Sequence, residues 1–409
     1  MAAPLAGIRV LELGRVFAAP WAGQMLGDLG AEVIKVEAID GDPMRQMGTG
    51  VIRDGDGQET SDRSVFAAVN RNKLSITVDL SSEAGCEVVR KLAGVCDVFI
   101  ENFKVGDLAR RGLDYETIRS LNPRLIYLSL TGYGQTGPYS SKPGMDNIVQ
   151  GLSGYMSMTG EPGQPPQASP VSIMDFSAGM HAAVGILAAL YGRDKDGLTG
   201  QYIDLSLFES GLALVGYKMI AALMAGEQPP RGSRIRGYVP SGVFETSDGW
   251  LQMTVATDVD FRRFCETAGR PDLLSDPRFE TRWTRSDNQE DLIPLVQKIL
   301  RERPTAVWME SLGKAGVMAG AVLSLAEAAD DPQARDRDAV MTVAHDAGGT
   351  IPLVRNPIRL SKSPIETYSS PPLLGADTDS VLADLLGMDR SEIEALRASG
   401  AIGPARTPA

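Results

Sequence analysis

The chain reads as an α/β protein: a large domain built on a Rossmann-like, mostly parallel sheet, followed by a smaller α+β domain. Three observations predict this. Short apolar runs alternate with helical segments from residue 8 to residue 130, the pattern of βαβ units. The 409 residues are too many for one small core, so two domains are expected. A Gly- and Pro-rich linker at residues 226–233 precedes a stretch in which two short strands flank the turn Ser247-Asp248-Gly249.

In order, strands are expected at residues 8–13, 32–37, 74–80, 97–101 and 124–130, with helices at 20–29, 83–92 and 106–121. The Gly-rich loop Thr131-Gly132-Tyr133-Gly134-Gln135-Thr136-Gly137-Pro138 follows, then a second loop at 160–166. Residues 180–191 form a nearly apolar helix, and residues 206–224 another. Beyond the linker, strands at 242–246 and 251–255 are joined by helices at 258–268, 288–301 and 304–315. A polar connection at 330–338 leads to two short amphipathic helices ending at Arg397. The domains are therefore 1–225 and 226–330, with 331–409 as a C-terminal segment.

Composition narrows the function. A net charge of −12 argues against nucleic acid as partner, while leaving room for a small anion that feels local charge. No 18-residue apolar run is free of charge and turn signals, so no membrane span is expected. The start of the chain lacks the basic region of a signal peptide. Cys86, Cys96 and Cys265 have neither metal-binding nor disulfide spacing, which fits a reducing cytoplasm. Only two histidines occur, which disfavours a His-based triad or a His-rich metal site. After the first strand, Leu13-Gly14-Arg15-Val16-Phe17-Ala18-Ala19-Pro20 lacks the glycines of a dinucleotide fingerprint, so a nicotinamide enzyme is not expected.

Asp175 is the one charge between Glu161 and Arg193. Beside an apolar helix it reads as an N-cap or as a working group, and the two are compatible, since a capped carboxylate is held in place and ionised. Asp175, the small-residue helix, Arg193 and Gly197-Leu198-Thr199-Gly200-Gln201-Tyr202-Ile203-Asp204-Leu205-Ser206-Leu207 together resemble the central motif of the family III CoA-transferases. That family also includes formyl-CoA transferases, carnitine CoA-transferases and α-methylacyl-CoA racemases. The likeness spans nearly the whole chain.

The resemblance implies an enzyme that takes coenzyme A and acyl-CoA as substrates, with no tightly bound cofactor and no metal. Asp175 would be its nucleophile. Glu101-Asn102-Phe103-Lys104-Val105-Gly106, with Arg110-Arg111-Gly112-Leu113, resembles the CoA-binding segment, so Asn102, Phe103, Lys104 and Arg110 are candidate contacts, as is Val16. Val78 and Ser81 match adenine-site positions. CoA phosphates also require cations, and Lys35, Arg45, Arg71, Lys73, Lys104, Arg110 and Arg111 form a basic set. Two family positions differ, at Ala38 and Thr131. Relatives form interlocked homodimers, with the C-terminal segment returning to the large domain.

Racemases of the family carry a His-Asp dipeptide after the Gly-rich loop. Here Met145-Asp146 stands in its place, and a thioether carries no proton at neutral pH. His181 lies six residues beyond Asp175 and is rotated off its helix face. The expectation is therefore CoA transfer from an acyl-CoA donor to a carboxylic acid, by way of an aspartyl anhydride and an aspartyl-CoA thioester. A racemase or a non-catalytic acyl-CoA-binding protein is the alternative. The start of the helix after Asp175 is a source of oxyanion donors. Met145, Met156, Met158 and Met174 are candidates for an apolar acyl pocket, and Arg231, Arg234 and Arg236 for holding the far end of a dicarboxylic acid.

Overall fold

A computed structural model describes residues 3–228, 230–232 and 235–405. Its larger unit is organised by six parallel strands: β1 (Arg9–Glu12), β2 (Glu32–Glu37), β3 (Lys73–Thr77), β4 (Val98–Glu101), β5 (Ile126–Thr131) and β6 (Tyr202–Ser206). Their spatial order is β3-β2-β1-β4-β5-β6. The sheet therefore grows outward in both directions from β1 and β4, whose junction is the switch point where doubly wound sheets bind ligands.

Val, Ile and Leu dominate these strands because both faces are covered. Val10, Val33, Val98, Ile126 and Leu128 point to one side, against helices α1 (Ala18–Asp28) and α5 (Ile173–Asp196). Leu11, Ile34, Ile76, Phe99 and Tyr127 point to the other, against α2 (Glu83–Val95). Between these in sequence lie α3 (Tyr115–Leu121) and α4 (Asp146–Leu152). α6 (Leu207–Leu214) and α7 (Gly216–Ala225) follow the last strand.

Several elements differ from the sequence expectation. The helix expected at 106–121 breaks into a 3-10 turn at Ala109–Arg111 and α3, because Gly112 adopts a left-handed φ of 64° and Asp114 then caps α3. The apolar stretch at 206–224 is two helices bent by 68°. β6 and the hairpins Val51–Arg53/Glu59–Arg63 and Val340–Ala344/Thr350–Val354 were not anticipated. α5 spans 24 residues, and its length and composition would suit a bilayer. Met174, Ala178, Ala182, Ala183, Ile186, Ala189 and Leu190 are nevertheless buried in the protein, as in a core helix.

The chain divides into two units. The larger takes the described residues of Met1–Met158, Pro165–Pro229 and Asp336–Ala409, and the smaller Thr159–Gln164 and Pro230–Arg335. These bounds differ from 226–330 by a few residues and by the added 159–164 loop. In the larger unit the C-terminal helices α8 (Thr378–Leu386) and α9 (Arg390–Ala398) place Val381, Leu382 and Ile393 in the core beside α2. Asp377 also accepts the Ser75 N–H of β3 at 2.8 Å. The smaller unit holds the antiparallel sheet of Ser241–Glu245, Trp250–Thr254 and Met318–Ala321, packed on Phe261, Phe264 and Trp308.

Candidate active site

A cavity of about 720 Å³ opens in the larger unit where β1, β4 and β5 end. Its walls carry Arg15 to Ala18 after β1, Asn102 to Val105 after β4, and Leu130 to Gly132 after β5. The segments 140–147 and 169–172, Met44, Met47 and Asp175 also line it. Gly132 and Gly144 are pressed together: a Cβ on Gly132 would sit 2.5 Å from the Gly144 Cα. Gly132 of the Gly-rich loop and Gly144 beyond it let two backbones meet, which sets the start of α4 against the end of β5.

Asp175 occupies the first turn of α5. It does not cap the helix. The N-cap position belongs to Ser172, whose side chain makes no capping bond. The cap is supplied from elsewhere: Asp146, at the start of α4, accepts the N–H of Met174 at 2.7 Å and of Asp175 at 3.2 Å. Gln150, one turn along α4, donates to Asp146 at 2.5 Å and accepts the Ser169 N–H at 2.8 Å, tying down the strap that leads into α5. The Asp175 carboxylate itself has no hydrogen-bond or ion-pair partner among the described residues. Desolvation, then the neighbouring Asp146 charge, pushes its pKa up to about 7. The expected fully ionised carboxylate is thus corrected: burial and the like charge favour the protonated form well above the ordinary carboxylate range.

The backbone N–H groups expected to serve an oxyanion are not free either. Those of Met174 and Asp175 are taken by Asp146, and that of Phe176 bonds the Ser172 carbonyl at 3.0 Å. Free donors lie across the cavity. α1 begins without a side-chain cap, and the N–H groups of Val16, Phe17 and Ala18 have no partner among the described residues. Val16 is held at a φ of 70°, a conformation that β-branched residues avoid. The Asn102 amide fixes this turn by a two-way clasp, accepting from Arg15 N–H at 2.9 Å and donating to the Arg15 carbonyl at 2.7 Å. α1 in turn lies close on α5, because a Cβ at Gly179 would stand 2.7 Å from the Ala18 carbonyl oxygen.

The CoA-transferase family III model matches residues 5–378. The chain belongs to that family. It is 39% identical to the succinate–glutarate CoA-transferase of Agrobacterium fabrum, over 95% of this chain and 97% of that one. It is 34% identical to the human succinyl-CoA:glutarate CoA-transferase, over 98% and 90% respectively. A solved CaiB/BaiF family protein from Brucella suis superimposes with a TM-score of 0.87 at 36% identity, covering 94% of this chain and all of that chain (100%).

In this CoA-transferase, Val16, Asn102, Phe103, Lys104 and Asp175 gather around the one cavity, although they are far apart in sequence. Val78, Ser81 and Arg110 do not line it. The Val78 side chain is buried in the sheet core. Ser81 is exposed and bonds Asp79 through both its N–H (2.9 Å) and its hydroxyl (2.7 Å). Arg110 is exposed and pairs with Asp107 at 2.6 Å.

Most of the predicted basic set has another task. Lys35 and Lys73 are buried on Glu12, at 3.3 and 2.8 Å, and Lys35 also meets Asp42 at 3.1 Å. Burial pulls the Lys73 ammonium down to about 8 despite Glu12. Arg45 joins Glu37 and Asp62, each at 2.7 Å, and Arg71 grips Asp28 at 2.6 Å. Arg111 bonds the Leu80 carbonyl and lies 3.9 Å from Asp107. Of the predicted cations, Lys104 alone faces the cavity, joined by Arg15 and Lys142, which sequence reasoning passed over.

Met145 lines the cavity and is 65% exposed, so a thioether stands where a racemase would need a proton carrier. Met174 is core, and Met156 and Met158 lie outside the lining, whereas Met44 and Met47 line it. In the smaller unit Arg236 pairs with Asp287 at 3.2 Å, and Arg234 lies outside the described residues. His181 is exposed on α5.

Proposed function

We propose that the enzyme moves CoA between dicarboxylic acids of four or five carbons through a covalent intermediate on Asp175. The Asp175 oxygen attacks the thioester carbonyl, the C–S bond breaks, and CoA leaves as thiolate, giving a mixed anhydride. The thiolate then attacks the Asp175 carbonyl carbon, releasing the donor acid and leaving an aspartyl-CoA thioester. The acceptor carboxylate attacks that thioester, the thiolate leaves again, and its attack on the acceptor's acyl carbonyl restores the Asp175 carboxylate.

One observation carries this reading: a carboxylate with no partner among the described residues, fixed at a helix start, lining a cavity at the sheet's switch point. Its raised pKa makes the ionised carboxylate a stronger nucleophile toward the thioester than an ordinary aspartate. The free N–H groups of residues 16–18 are the donors for the developing oxyanion. Lys104 and Arg15 serve the CoA phosphates, and the clasp of Asn102 keeps that loop in place. The dicarboxylate preference is supported by the names of the relatives from Agrobacterium fabrum and human.

The test is mass spectrometry of enzyme quenched during turnover with succinyl-CoA, and again after hydroxylamine. A CoA-mass adduct, or a hydroxamate, on the peptide containing Asp175 is expected. An unlabelled peptide under turnover conditions overturns the covalent path.

A further inference from the structure

We propose that Lys142 holds the far carboxylate of the dicarboxylic acid while its near carboxylate reacts at Asp175. The inference rests on the dicarboxylate reading above and names the residue that would enforce it.

Three cations line the cavity, Arg15, Lys104 and Lys142, and none has a carboxylate partner among the described residues. They stand on different segments of that lining. Arg15 and Lys104 follow β1 and β4, and the Arg15 guanidinium lies 4.6 Å over the Phe103 ring. That pair borders the switch point, where a nucleotide's phosphates belong. Lys142 is on a separate segment of the lining, the one that runs through Pro143, Gly144 and Met145 into Asp146. Asp146 is bonded to the backbone of Asp175 itself, so Lys142 and the nucleophile share a short, fixed connection.

The ammonium is also positioned. Lys142 donates its backbone N–H to the Tyr139 carbonyl at 2.8 Å, closing a turn, and its Nζ lies 3.8 Å from the Tyr139 ring centroid. Tyr139 meets Tyr133 edge-on at 5.6 Å, and Tyr133 packs at 6.2 Å on Phe208 of α6. Lys142 and Tyr139 are both exposed, so the ring holds the ammonium weakly and exchanging it for a carboxylate costs little. A lysine, a point charge on a flexible stem, also tolerates acids differing by one methylene. An arginine fork would fix one length. The Met145 thioether on the same segment suits the methylenes between the two carboxylates.

The experiment compares wild type with Lys142→Met and Lys142→Arg, using butyryl-CoA as donor and glutarate or pentanoate as acceptor. In Lys142→Met the KM for glutarate is expected to rise tenfold or more, with the KM for butyryl-CoA and any rate with pentanoate unchanged. Lys142→Arg recovers most of the glutarate affinity but separates succinate from glutarate more sharply than wild type. A rise in the butyryl-CoA KM instead assigns Lys142 to CoA and overturns the proposal. So does an unchanged glutarate KM, or the same selective loss in Arg15→Gln. If Lys142→Met fails to fold, Lys142→Gln replaces it with the same expected outcomes. A wild-type enzyme that prefers pentanoate to glutarate sinks the dicarboxylate reading itself, before any variant is compared.

Discussion

Two sets of charges in the larger unit have opposite fates. Inside the sheet, Glu12, Lys35, Lys73 and Asp42 form a closed lattice, as do Arg45, Glu37 and Asp62, all nearly free of solvent. Past the strand ends, Arg15, Lys104, Lys142 and Asp175 have no ion-pair partner among the described residues. Gly23 shows how tightly the first set is built, since a Cβ there would stand 1.8 Å from a Glu12 oxygen. A buried charge without a partner is expensive, so the lattice had to be completed by the protein. A charge at a cavity can be left for the ligand to complete. The same residue types are therefore scaffold on one side of the strand end and site on the other.

The largest expected effect tests the unpaired side. Asp175→Asn should lose CoA transfer by roughly 10⁴-fold or more, as loss of a covalent nucleophile does, measured as steady-state exchange between succinyl-CoA and glutarate. It should also fold more stably. The Asp175 pKa lies at about 7 in the fold against an ordinary 3.8, so between those values the native state binds the extra proton. Stability is lost as pH rises through that window. The variant's melting temperature should exceed wild type by a few degrees at pH 8 and match it near pH 3.5. A variant that is equally active, or less stable at pH 8, breaks the contrast.

The next effect tests the paired side. Arg45→Met leaves Glu37 and Asp62 buried without their partner, and should cost about 3–5 kcal/mol in denaturant unfolding. Gly23→Ala, which overpacks Glu12, should cost about 1–3 kcal/mol. Lys104→Met makes the sharpest contrast. Its stability should stay within about 0.5 kcal/mol of wild type, while the KM for succinyl-CoA rises on the order of tenfold, the worth of one charged hydrogen bond. Were Arg45→Met to raise that KM at unchanged stability, the assignment of Arg45 to scaffold would be wrong.

The amino-acid sequence carried the strands of the large sheet because each is a short apolar run that needs nothing distant to be recognised. It carried Asp175 for a similar reason, as a lone acid against an apolar helix. It could not carry the sorting of cations. Whether Lys73 and Lys104 are scaffold or site depends on Glu12 lying beside one and nothing beside the other, and Glu12 is 61 residues from Lys73. The role of Gly132 in the Gly-rich loop stayed open because a glycine's pattern is the same whether a ligand or another backbone comes close. The cap on α5 was misread for the same reason. Asp175 stood at a plausible local position, while the group that caps the helix lies 29 residues earlier.

The smallest effect isolates that cap. In Asp146→Asn the side-chain oxygen still accepts the N–H groups of Met174 and Asp175, since Asn caps nearly as well as Asp, while Gln150 loses its acceptor and the like charge beside Asp175 is gone. The pH profile of kcat/KM for succinyl-CoA in wild type should rise through about 7 as Asp175 ionises. Burial, the larger cause of the raised value, remains in the variant, and the Asp146 contribution is removed. The acidic limb should therefore move to lower pH without reaching the ordinary carboxylate range, with the plateau rate within a few-fold of wild type. A purely structural role for Asp146 would lower the plateau and leave the limb where it was. A limb that moves with the plateau preserved means that Asp146 acts on the nucleophile through its charge, and that this pair of carboxylates is part of the chemistry.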